Sequence, residues 1–423
     1  MKEPKPTEID GRTGEGGGQL VRIACALAAV SGKPIKITNV RGNRGGGPRG
    51  GDGGLKSQHI SAIKFLADAT SADVSGLTIG SHTLSFHPHL PPSHLHNRTI
   101  KIAADSAAAS TLLIFQAILP FLLFAGTETS PDSQPIEVEI TGGTNVSFSL
   151  SYEYLDQVLL PTLEAFFSGI RIERQLKTRG WSQGRAQRGT VVFKIHPLKL
   201  GEPLRVRDPP PELDYDITAI DVSVIAPHEM HTSLTRALAQ DLDDLFPGTE
   251  VSFKIIEDSG AESRIYVLLV AKSATLRWGR DVLTSTPKKA KGKASSVSDA
   301  VSRKVSKELY EEVSRGGVVD GFCQDQLVVF QALARGRSSF PCSEGEDNED
   351  GGEGEGGLVE AMGELGLEEN LRRMRRDKAG EPFGEGSLHT TTARWVTTEV
   401  LPGVAWFNKG LVCEGAGIQM DKP

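Results

Sequence analysis

Residues 8–40 read EIDGRTGEGGGQLVRIACALAAVSGKPIKITNV, and this stretch decides the class of fold. A short strand at 8–10 runs into a glycine-rich turn, and apolar residues then recur at helical spacing over 19–30. Gly-Lys-Pro at 32–34 is a typical helix stop, and the alternating segment 35–40 is typical of a second strand. The stretch therefore predicts a strand–helix–strand unit whose helix begins at the glycines.

The same order of elements recurs further along the chain. A second unit combines a strand at 99–102, a turn at 105–107, a helix at 110–124 and a strand at 136–140. A third has a strand at 191–196 and, after a long interruption, a helix at 325–334. Amphipathic helices are predicted at 58–67 and 152–167. This alternation favours an α/β layered fold of repeated βα units.

The segment 198–296 has a strand and helix pattern of its own. Its predicted elements are a strand at 219–226, a helix at 233–245, and strands at 251–256 and 265–271. We therefore expect a large domain formed by 1–197 and 297–423, with 198–296 as a smaller inserted α/β domain.

Two segments of low complexity interrupt these patterns. Residues 284–295 read as a flexible basic linker, and the acidic, glycine-rich stretch 338–357 is typical of a disordered insert.

Composition limits the class of protein without deciding its function. The 423 residues include 38% apolar and 24% charged residues, as in soluble globular proteins. The formal net charge of −7 equals the contribution of the seven acidic residues between 344 and 355, so a basic cleft elsewhere is compatible with it. No stretch is apolar for long enough to cross a membrane, and the N-terminus has no signal-peptide pattern. Four scattered cysteines favour a reducing compartment over a disulfide framework or a zinc site.

Two polar clusters in the first sixty residues are candidates for phosphate binding. Residues 14–19, followed by Arg22, combine backbone N–H groups at a helix start with a guanidinium one turn later. The loop is neither a Walker A nor a Rossmann motif, and alone it is equally compatible with a structural turn. Arg41 and Arg44 follow the strand at 35–40 and precede Gln58-His59; alone they read as a solvated basic loop.

Two further clusters lie in the last third of the chain. Gln324, Asp325 and Gln326 stand where a turn enters an apolar helix, and Asp325 could equally be a helix cap. His389 lies among hydroxyl residues at 387–392, where it could act as a nucleophile or base or be structural. The five histidines between 82 and 96 have no regular metal-ligand spacing and read as a solvated loop.

In this order, the four clusters, together with TGGTN at 141–145, resemble the RNA 3′-terminal phosphate cyclase family. The resemblance covers most of the chain outside the two low-complexity segments. It implies a large domain of repeated βα units, as in cyclases and enolpyruvyl transferases, with a small inserted α/β domain. It also implies ATP-dependent conversion of an RNA 3′-phosphate to a 2′,3′-cyclic phosphate, through an adenylated histidine and an RNA-adenylate intermediate.

The resemblance assigns roles to individual residues. His389 corresponds to the nucleophile and Asp325 to the carboxylate that orients it. Glu15 corresponds to the position that approaches Mg²⁺ or Mn²⁺. The residues that it implies for ATP binding are Gln19, Arg22, Arg41, Arg44, Gln58, Gln116 and Gln326.

The chain also departs from the family pattern in four places. Segment 179–189 lacks the proline and triple glycine of a GxxPxGGG-like signature, and Phe322 stands where a tyrosine is usual. No proline follows GGTN, and 45–53 extends the arginine loop. These differences concern the expected adenosine pocket and RNA groove.

Two alternatives remain open at this level. A non-catalytic ribosome-assembly (rRNA-processing) factor on the same fold would lack the histidine and most of the ligand arginines, which this chain has. An enolpyruvyl-transferase-like enzyme would need a different set of anion-binding residues. The residues thus favour an enzyme of the ligase class that acts on RNA ends and ATP.

We expect the protein in the nucleus (nucleoplasm or nucleolus). The basic runs 372–376 and 288–293 are weak candidates for an import signal.

Overall fold

A computed structural model of the chain describes residues 4–44, 53–127, 134–208, 210–261, 264–285, 294–342 and 384–420, with backbone alone at 44, 294 and 295. Both basic stretches proposed for import, most of 45–53 and the acidic residues 343–357 lie outside these ranges.

Helices and strands alternate along most of the described chain. The helices are α1 (Gly18–Ser31), α2 (Ser57–Thr70), α3 (Thr111–Leu123), α4 (Tyr152–Tyr154), a π turn (Leu155–Leu159), α5 (Leu160–Phe166), α6 (His231–Leu245), α7 (Ala294–Ser314), α8 (Gly321–Leu333) and α9 (Leu388–Val400). The first strands are β1 (Thr7–Asp10), β2 (Ile35–Thr38), β3 (Asp73–Ser75), β4 (Leu84–His87), β5 (Thr99–Ala103), β6 (Ile136–Gly142), β7 (Phe167–Ser168), β8 (Ile172–Thr178) and β9 (Gly189–Ile195). The later strands are β10 (Arg205–Val206), β11 (Ala219–Ala226), β12 (Glu250–Asp258), β13 (Ile265–Lys272), β14 (Arg277–Thr284), β15 (Arg337–Ser339), β16 (Ala405–Phe407) and β17 (Val412–Glu414).

The first two predicted units are confirmed. Strands β1 and β2 are parallel neighbours joined by α1, in a sheet of order β1-β2-β4-β3. Strands β5 and β6 are parallel neighbours joined by α3, in a sheet of order β5-β6-β9-β8. A parallel pair needs a crossover connection, which the two helices supply. The chain therefore has the mixed α/β fold that its pattern predicts.

The third unit differs from the prediction. The strand predicted at 191–196 is β9, and it pairs antiparallel with β6 and β8 in the second sheet. Helix α8 instead packs against α9 and β17, beside a three-stranded sheet of order β15-β17-β16. The sequence pattern missed β8 because this edge strand, IERQLKT, is mostly polar. Because the prediction did not include β8, it missed one of the two antiparallel partners of β9.

A separate sheet of order β12-β11-β13-β14 lies within the predicted insertion. Helix α6 packs on this sheet through Leu234, Leu238 and Leu242, which are fully buried and spaced four residues apart. Helix α7 packs against α6 and β14, and it crosses the predicted boundary at 296/297. The division of the chain into two domains stays a prediction.

Helix α1 is largely buried beside the candidate site. Residues 19–21 and 23–30 are all buried, because α2, α3 and α9 pack around the helix. Five of these residues are alanine or cysteine, and such small side chains let neighbouring helices approach closely. The N-terminus of α1, where the glycine loop ends, is thus held on several sides.

Two loop predictions are wrong in part. The acidic insert was expected to begin at 338, but Ser338 lies in β15, where its hydroxyl accepts a hydrogen bond from Gln331 at 3.0 Å. The histidine-rich stretch with its prolines was expected to be a solvated loop; His87 instead ends β4, which pairs with β2 and β3, whereas 88–96 forms no strand and His89, His94 and His96 are exposed. None of the described helices combines the length and apolar character needed to cross a bilayer.

Candidate active site

The glycine loop takes a conformation that side chains would disrupt. Gly14 and Gly16 have φ values of 62° and 59°, in the left-handed region that favours glycine. A Cβ atom at Gly14 would lie 2.2 Å from the hydroxyl of Thr392. Gly17 caps α1 without a side-chain hydrogen bond, so the first N–H groups of the helix are left to a ligand or water. A helix start of this kind favours an anion.

Helix α9 carries His389 and is tied to the glycine loop. Its N-cap Ser387 accepts a hydrogen bond from the N–H of Thr390 at 3.1 Å. Thr392, one turn later, accepts from the N–H of Glu15 at 2.8 Å, and Thr390 donates to Gln324 of α8 at 3.2 Å. His389 is exposed at the start of this helix. The nucleophile candidate is therefore accessible, while the backbone beneath it is anchored to two other elements.

A hydrogen-bond relay connects His389 with Asp325. The Nδ1 atom of His389 lies 3.1 Å from Oε1 of Gln19, and Nε2 of Gln19 donates to Oδ2 of Asp325 at 2.6 Å. The predicted orienting carboxylate thus reaches the histidine through a glutamine. Both Gln19 and Asp325 are buried, which shields the relay from water.

The relay selects one tautomer of His389. An ionised carboxylate only accepts hydrogen bonds, so Asp325 attracts the NH₂ end of the Gln19 amide. The carbonyl oxygen of Gln19 then faces Nδ1 of His389, and this ring nitrogen carries the proton. The lone pair of a neutral His389 is consequently on Nε2, which is the atom able to form a new bond.

Two more of the predicted glutamines extend the relay. Gln326 donates to Oδ1 of Asp325 at 2.9 Å, and Gln116 of α3 donates to Oε1 of Gln326. Burial raises the pKa of Asp325, while the hydrogen bond from Gln326, the charges of His389 and Arg22, and the bond from Gln19 act in the opposite direction. These residues line one wall of a narrow cavity whose other side is apolar, including Phe115 and Leu119.

A cluster of positive groups lies next to the relay. The pKa of Arg22 is lowered to about 10, chiefly by burial; the charge of Asp325 opposes this shift and the charge of Arg41 adds to it. Burial also lowers the pKa of Arg41, whose Nε atom is buried and has no hydrogen-bond partner among the described residues. Two desolvated guanidinium groups that repel each other favour a bound anion strongly.

His59 belongs to this cluster, although the sequence analysis quoted it without assigning it a role. Its pKa is held well below the usual value by burial and by the charges of Arg22, Arg41 and Lys56. Its Nδ1 accepts from the N–H of Lys56 at 3.0 Å, so a neutral His59 carries its proton on Nε2. That Nε2 atom is buried and has no partner within the described part of the chain.

The Nε2 atom of His59 is directed toward the start of α1. A Cβ atom at Gly18 would lie only 2.5 Å from it and 3.0 Å from Nη1 of Arg22. Gly18 thus leaves room for these two donors beside the helix N-terminus. The sequence signal that could have identified His59 is its position after Gln58 at the start of α2, where the side chain faces inward.

The structure gives side-chain positions for Glu15, Gln58 and Arg41, but only the backbone position for Arg44. The carboxylate of Glu15 lies over Gly17, where a Cβ atom would be 2.2 Å from it. Gln58 is half-buried at the start of α2. Arg41 has a left-handed φ of 55° and donates to Gly54 O at 3.3 Å. The backbone of Arg44 ends a 3₁₀ turn, and its side chain lies outside the described atoms.

The glutamate position fits a magnesium or manganese ion. Mg²⁺ prefers oxygen ligands and is commonly held by one or two carboxylates together with substrate phosphates. Glu15 places one carboxylate beside the N–H groups that favour phosphate. Asp325 is less suited to this role, because two glutamines already donate to its oxygens.

The segment that departs from the family signature packs on TGGTN. The N–H groups of Thr144 and Asn145 both donate to the carbonyl of Gly180 at 3.0 Å. A Cβ atom at Gly180 would lie 2.2 Å from the carbonyl of Gly142, so the close approach requires glycine. Trp181 is buried, with Arg264 over its ring at 5.5 Å. The ends of the altered segment are therefore packed without the usual proline, while 184–188 are exposed.

Phe322, which replaces the usual tyrosine, is exposed at the start of α8. The Arg280 guanidinium lies 4.4 Å from the centre of its ring, and the Tyr154 ring meets it edge-on at 6.2 Å. Phe322 as a whole is 44% accessible. It remains able to stack against a planar group, while the tyrosine hydroxyl is lost.

Comparison with known proteins identifies the family of this chain. A family model described as RNA 3′-terminal phosphate cyclase matches residues 13–348. A protein named RNA 3′-terminal phosphate cyclase from Thermococcus kodakarensis is 32% identical over 78% of this chain and 86% of its own length. A protein of the same name from Hyperthermus butylicus is 34% identical over 78% of this chain and 85% of its own length. One from Drosophila melanogaster is 31% identical over 80% of this chain and 87% of its own. This chain therefore belongs to the RNA 3′-terminal phosphate cyclase family.

Proposed function

We propose that this chain is a catalytically active, ATP-dependent ligase that converts an RNA 3′-phosphate into a 2′,3′-cyclic phosphate. The observation that carries the proposal is the relay from His389 through Gln19 to Asp325, with distances of 3.1 and 2.6 Å. The family match ends at residue 348, before His389, so the proposal for this residue rests on its own surroundings and on the resemblance of 387–392 to the family motif.

In the first step, Nε2 of His389 attacks the α-phosphorus of ATP. An N–P bond forms, the bond from that phosphorus to the bridging oxygen breaks, and pyrophosphate leaves with the electron pair. The ring becomes cationic, because Nδ1 keeps its proton. The carbonyl of Gln19, polarised by Asp325, stabilises this charge. One difficult displacement is thus divided into two easier ones.

The next two steps return His389 to its starting state. An oxygen of the RNA 3′-phosphate attacks the phosphorus of the histidine-bound AMP, and the N–P bond breaks to give a neutral imidazole and an RNA-adenylate. The neighbouring 2′-hydroxyl then attacks the 3′-phosphorus and loses its proton. The cyclic phosphate forms and AMP leaves.

The positive cluster supplies the phosphate contacts in this proposal. Arg22, Arg41 and His59 would bind the β- and γ-phosphates and offset the charge that develops on pyrophosphate. Glu15 would hold Mg²⁺ or Mn²⁺, which neutralises phosphate charge when bound. Arg44 and Gln58 are proposed for the same phosphates, and Gln116 and Gln326 for positioning Asp325.

Incubation with α-³²P-labelled ATP and Mg²⁺ or Mn²⁺ tests the proposal. We expect an acid-labile, alkali-stable protein adduct, as for a phosphoramidate, and release of labelled AMP when RNA with a 3′-phosphate is added. His389→Ala should abolish the adduct while still binding ATP. His228→Ala, which alters an exposed histidine in the turn after β11, is the matched control and should label normally. A wild-type chain that binds ATP but forms no adduct would instead favour the non-catalytic assembly factor.

A further inference from the structure

Two histidines and one aspartate form a cluster at the edge of the first sheet. Asp73 of β3 lies directly opposite His87 of β4, and His89 follows two residues later on the same chain. Nε2 of His89 lies 2.8 Å from Oδ2 of Asp73, and the rings of His87 and His89 are 4.7 Å apart. One ligand atom from each residue falls within 4.8 Å of the other two.

The backbone of this cluster is held by regular structure. Asp73 and His87 are paired across two antiparallel strands. The N–H groups of His89 and Leu90 both donate to the carbonyl of Thr70, the last residue of α2, at 3.0 and 2.8 Å. The three side chains therefore start from fixed positions, and small rotations suffice to bring their ligand atoms to a common centre.

We propose that Asp73, His87 and His89 form a binding site for a borderline first-row divalent cation, with Zn²⁺ as the best match. Zn²⁺ binds imidazole nitrogen and carboxylate oxygen at about 2.0–2.2 Å, so ligand atoms in a tetrahedral site lie about 3.3 Å apart. The His89 and Asp73 ligand atoms are 2.8 Å apart, and all three ligand atoms lie within 4.8 Å of one another, so side-chain rotation is needed to reach that spacing. Binding replaces the His89–Asp73 hydrogen bond with two metal bonds, and the proton on the coordinating nitrogen of His89 moves to its other ring nitrogen.

The donor set argues against Mg²⁺ at this position. Mg²⁺ prefers six oxygen ligands in strict octahedral geometry, whereas imidazole favours zinc, copper and nickel. With three protein ligands, a fourth position is left for water or an anion. His89 also borders a broad cleft, lined in part by His94, His96 and Met420, from which such a ligand could enter.

This site is separate from the proposed ATP site. His59 stands at the N-terminal end of α2 and Thr70 at its C-terminal end, so about 16 Å of helix lies between them. The cluster is attached at the Thr70 end. A metal bound there would crosslink β3, β4 and the segment after β4, and would thus stabilise the sheet edge without contacting ATP.

Metal titration of the full chain tests the proposal. The protein is first stripped with EDTA, and Co²⁺ is then added with Mg²⁺ in excess while the visible absorption of the Co²⁺ ion is followed, with competition by Zn²⁺. We expect one saturable site for Co²⁺ that Zn²⁺ displaces, and a thermal midpoint that rises with Zn²⁺. His87→Ala and His89→Ala should each weaken binding by at least the 10–100-fold that loss of a second-shell partner typically costs.

Matched variants separate this site from adventitious binding. His94→Ala removes an exposed histidine of the same segment and should leave the affinity unchanged. Asp73→Asn alters an exposed side chain with little change of shape, so it serves if a histidine variant fails to fold. The proposal fails if no site saturates, if His87→Ala and His89→Ala bind as the wild type does, or if a thiolate-to-metal absorption band shows that a cysteine holds the ion.

Discussion

The side-chain amide of Gln19 donates to Asp325 at 2.6 Å, across 306 residues of sequence. This contact orients the amide, and the amide in turn sets which nitrogen of His389 carries the proton. In the proposed mechanism, Asp325 is therefore a positioning residue, which acts on the reacting nitrogen of His389 through Gln19.

Asp325→Asn should slow adenylation of His389 with little effect on ATP binding. An asparagine offers both a donor and an acceptor to Gln19, so the amide of Gln19 is no longer held in one orientation and the reactive tautomer is less populated. Loss of a directly bonded orienting carboxylate costs about 10⁴-fold, and we expect roughly 10²-fold through the relay. The measurement is single-turnover labelling, with ¹⁵N NMR of histidine-labelled protein to report the tautomer. An unchanged rate together with an unchanged tautomer would contradict the role of the relay.

Arg22→Ala should weaken ATP binding. A hydrogen bond to a charged group contributes about 1.5–3 kcal/mol, which corresponds to a roughly 10–100-fold rise in Kd. Arg12→Ala is the matched control in the same loop, because Arg12 is exposed and pairs only with nearby Asp10 in the described contacts. Exposed pairs contribute little, so its Kd should change by less than about fivefold. Equal effects of the two variants, measured by calorimetry with ATP, would refute the assignment.

Gly18→Ala should disturb the phosphate site through His59. The added methyl group would lie 2.5 Å from Nε2 of His59 and displace it together with Arg22. We expect a loss of ATP affinity that is partly recovered in the double variant with His59→Ala, so that the two effects are non-additive. Gly321→Ala is the control at another helix start, where the nearest atom would be 3.6 Å away. Strict additivity of the two changes would rule out this clash.

Stability should fall as the pH rises toward 6, in part because of Asp281. Burial raises the pKa of Asp281 from 3.8 to about 6, with Asp320 and Glu153 adding to the rise and Tyr266 and Arg280 opposing it. The folded state then binds more protons than the unfolded state between these values, so the free energy of unfolding decreases with pH in that range and levels off above it.

Asp281→Asn isolates this contribution. It removes the titration but keeps an oxygen that can accept the hydrogen bond from Tyr266, which is 3.0 Å long in the wild type. Relative to the wild type, the variant should gain up to about 3 kcal/mol on going from pH 4 to pH 7.5. Urea unfolding at several pH values measures this difference. A gain that is the same at both pH values would show that the carboxyl is not responsible.

Local sequence patterns predicted the helices and strands that carry the site. They did not predict the side-chain contacts between residues that are far apart in the sequence. The strand–helix–strand pattern at 8–40 predicted β1, α1 and β2 closely, since glycine and proline mark their limits. The pattern could not show that Gln19 stands between His389 and Asp325, because that order depends on how α1, α8 and α9 pack. Every residue of the relay was named in advance, and Asp325 was expected to orient His389, but the place of Gln19 as the link between them was not predicted.

The register between β3 and β4 places Asp73 opposite His87 of the histidine-rich segment. Spacing within 82–96 suggests no metal site, because the third candidate ligand, Asp73, comes from the neighbouring strand β3. Strand β3 has only three residues, half-buried or exposed, and so has almost no apolar signal of its own. His59 was passed over for a similar reason, since its position after Gln58 marks it only as a candidate, and whether its ring faces Arg22 depends on how α2 packs against α1.

The bond between the Glu15 N–H and Thr392 joins positions 377 residues apart, and it has a consequence for the synthesis of the protein. Domains fold during translation as they emerge, beginning with the N-terminal ones. The glycine loop can therefore leave the ribosome and dock on its sheet long before α9 exists. A nascent or prematurely terminated chain would contain the proposed phosphate site without the proposed nucleophile His389, so under this mechanism the reaction can start only when translation has passed residue 392.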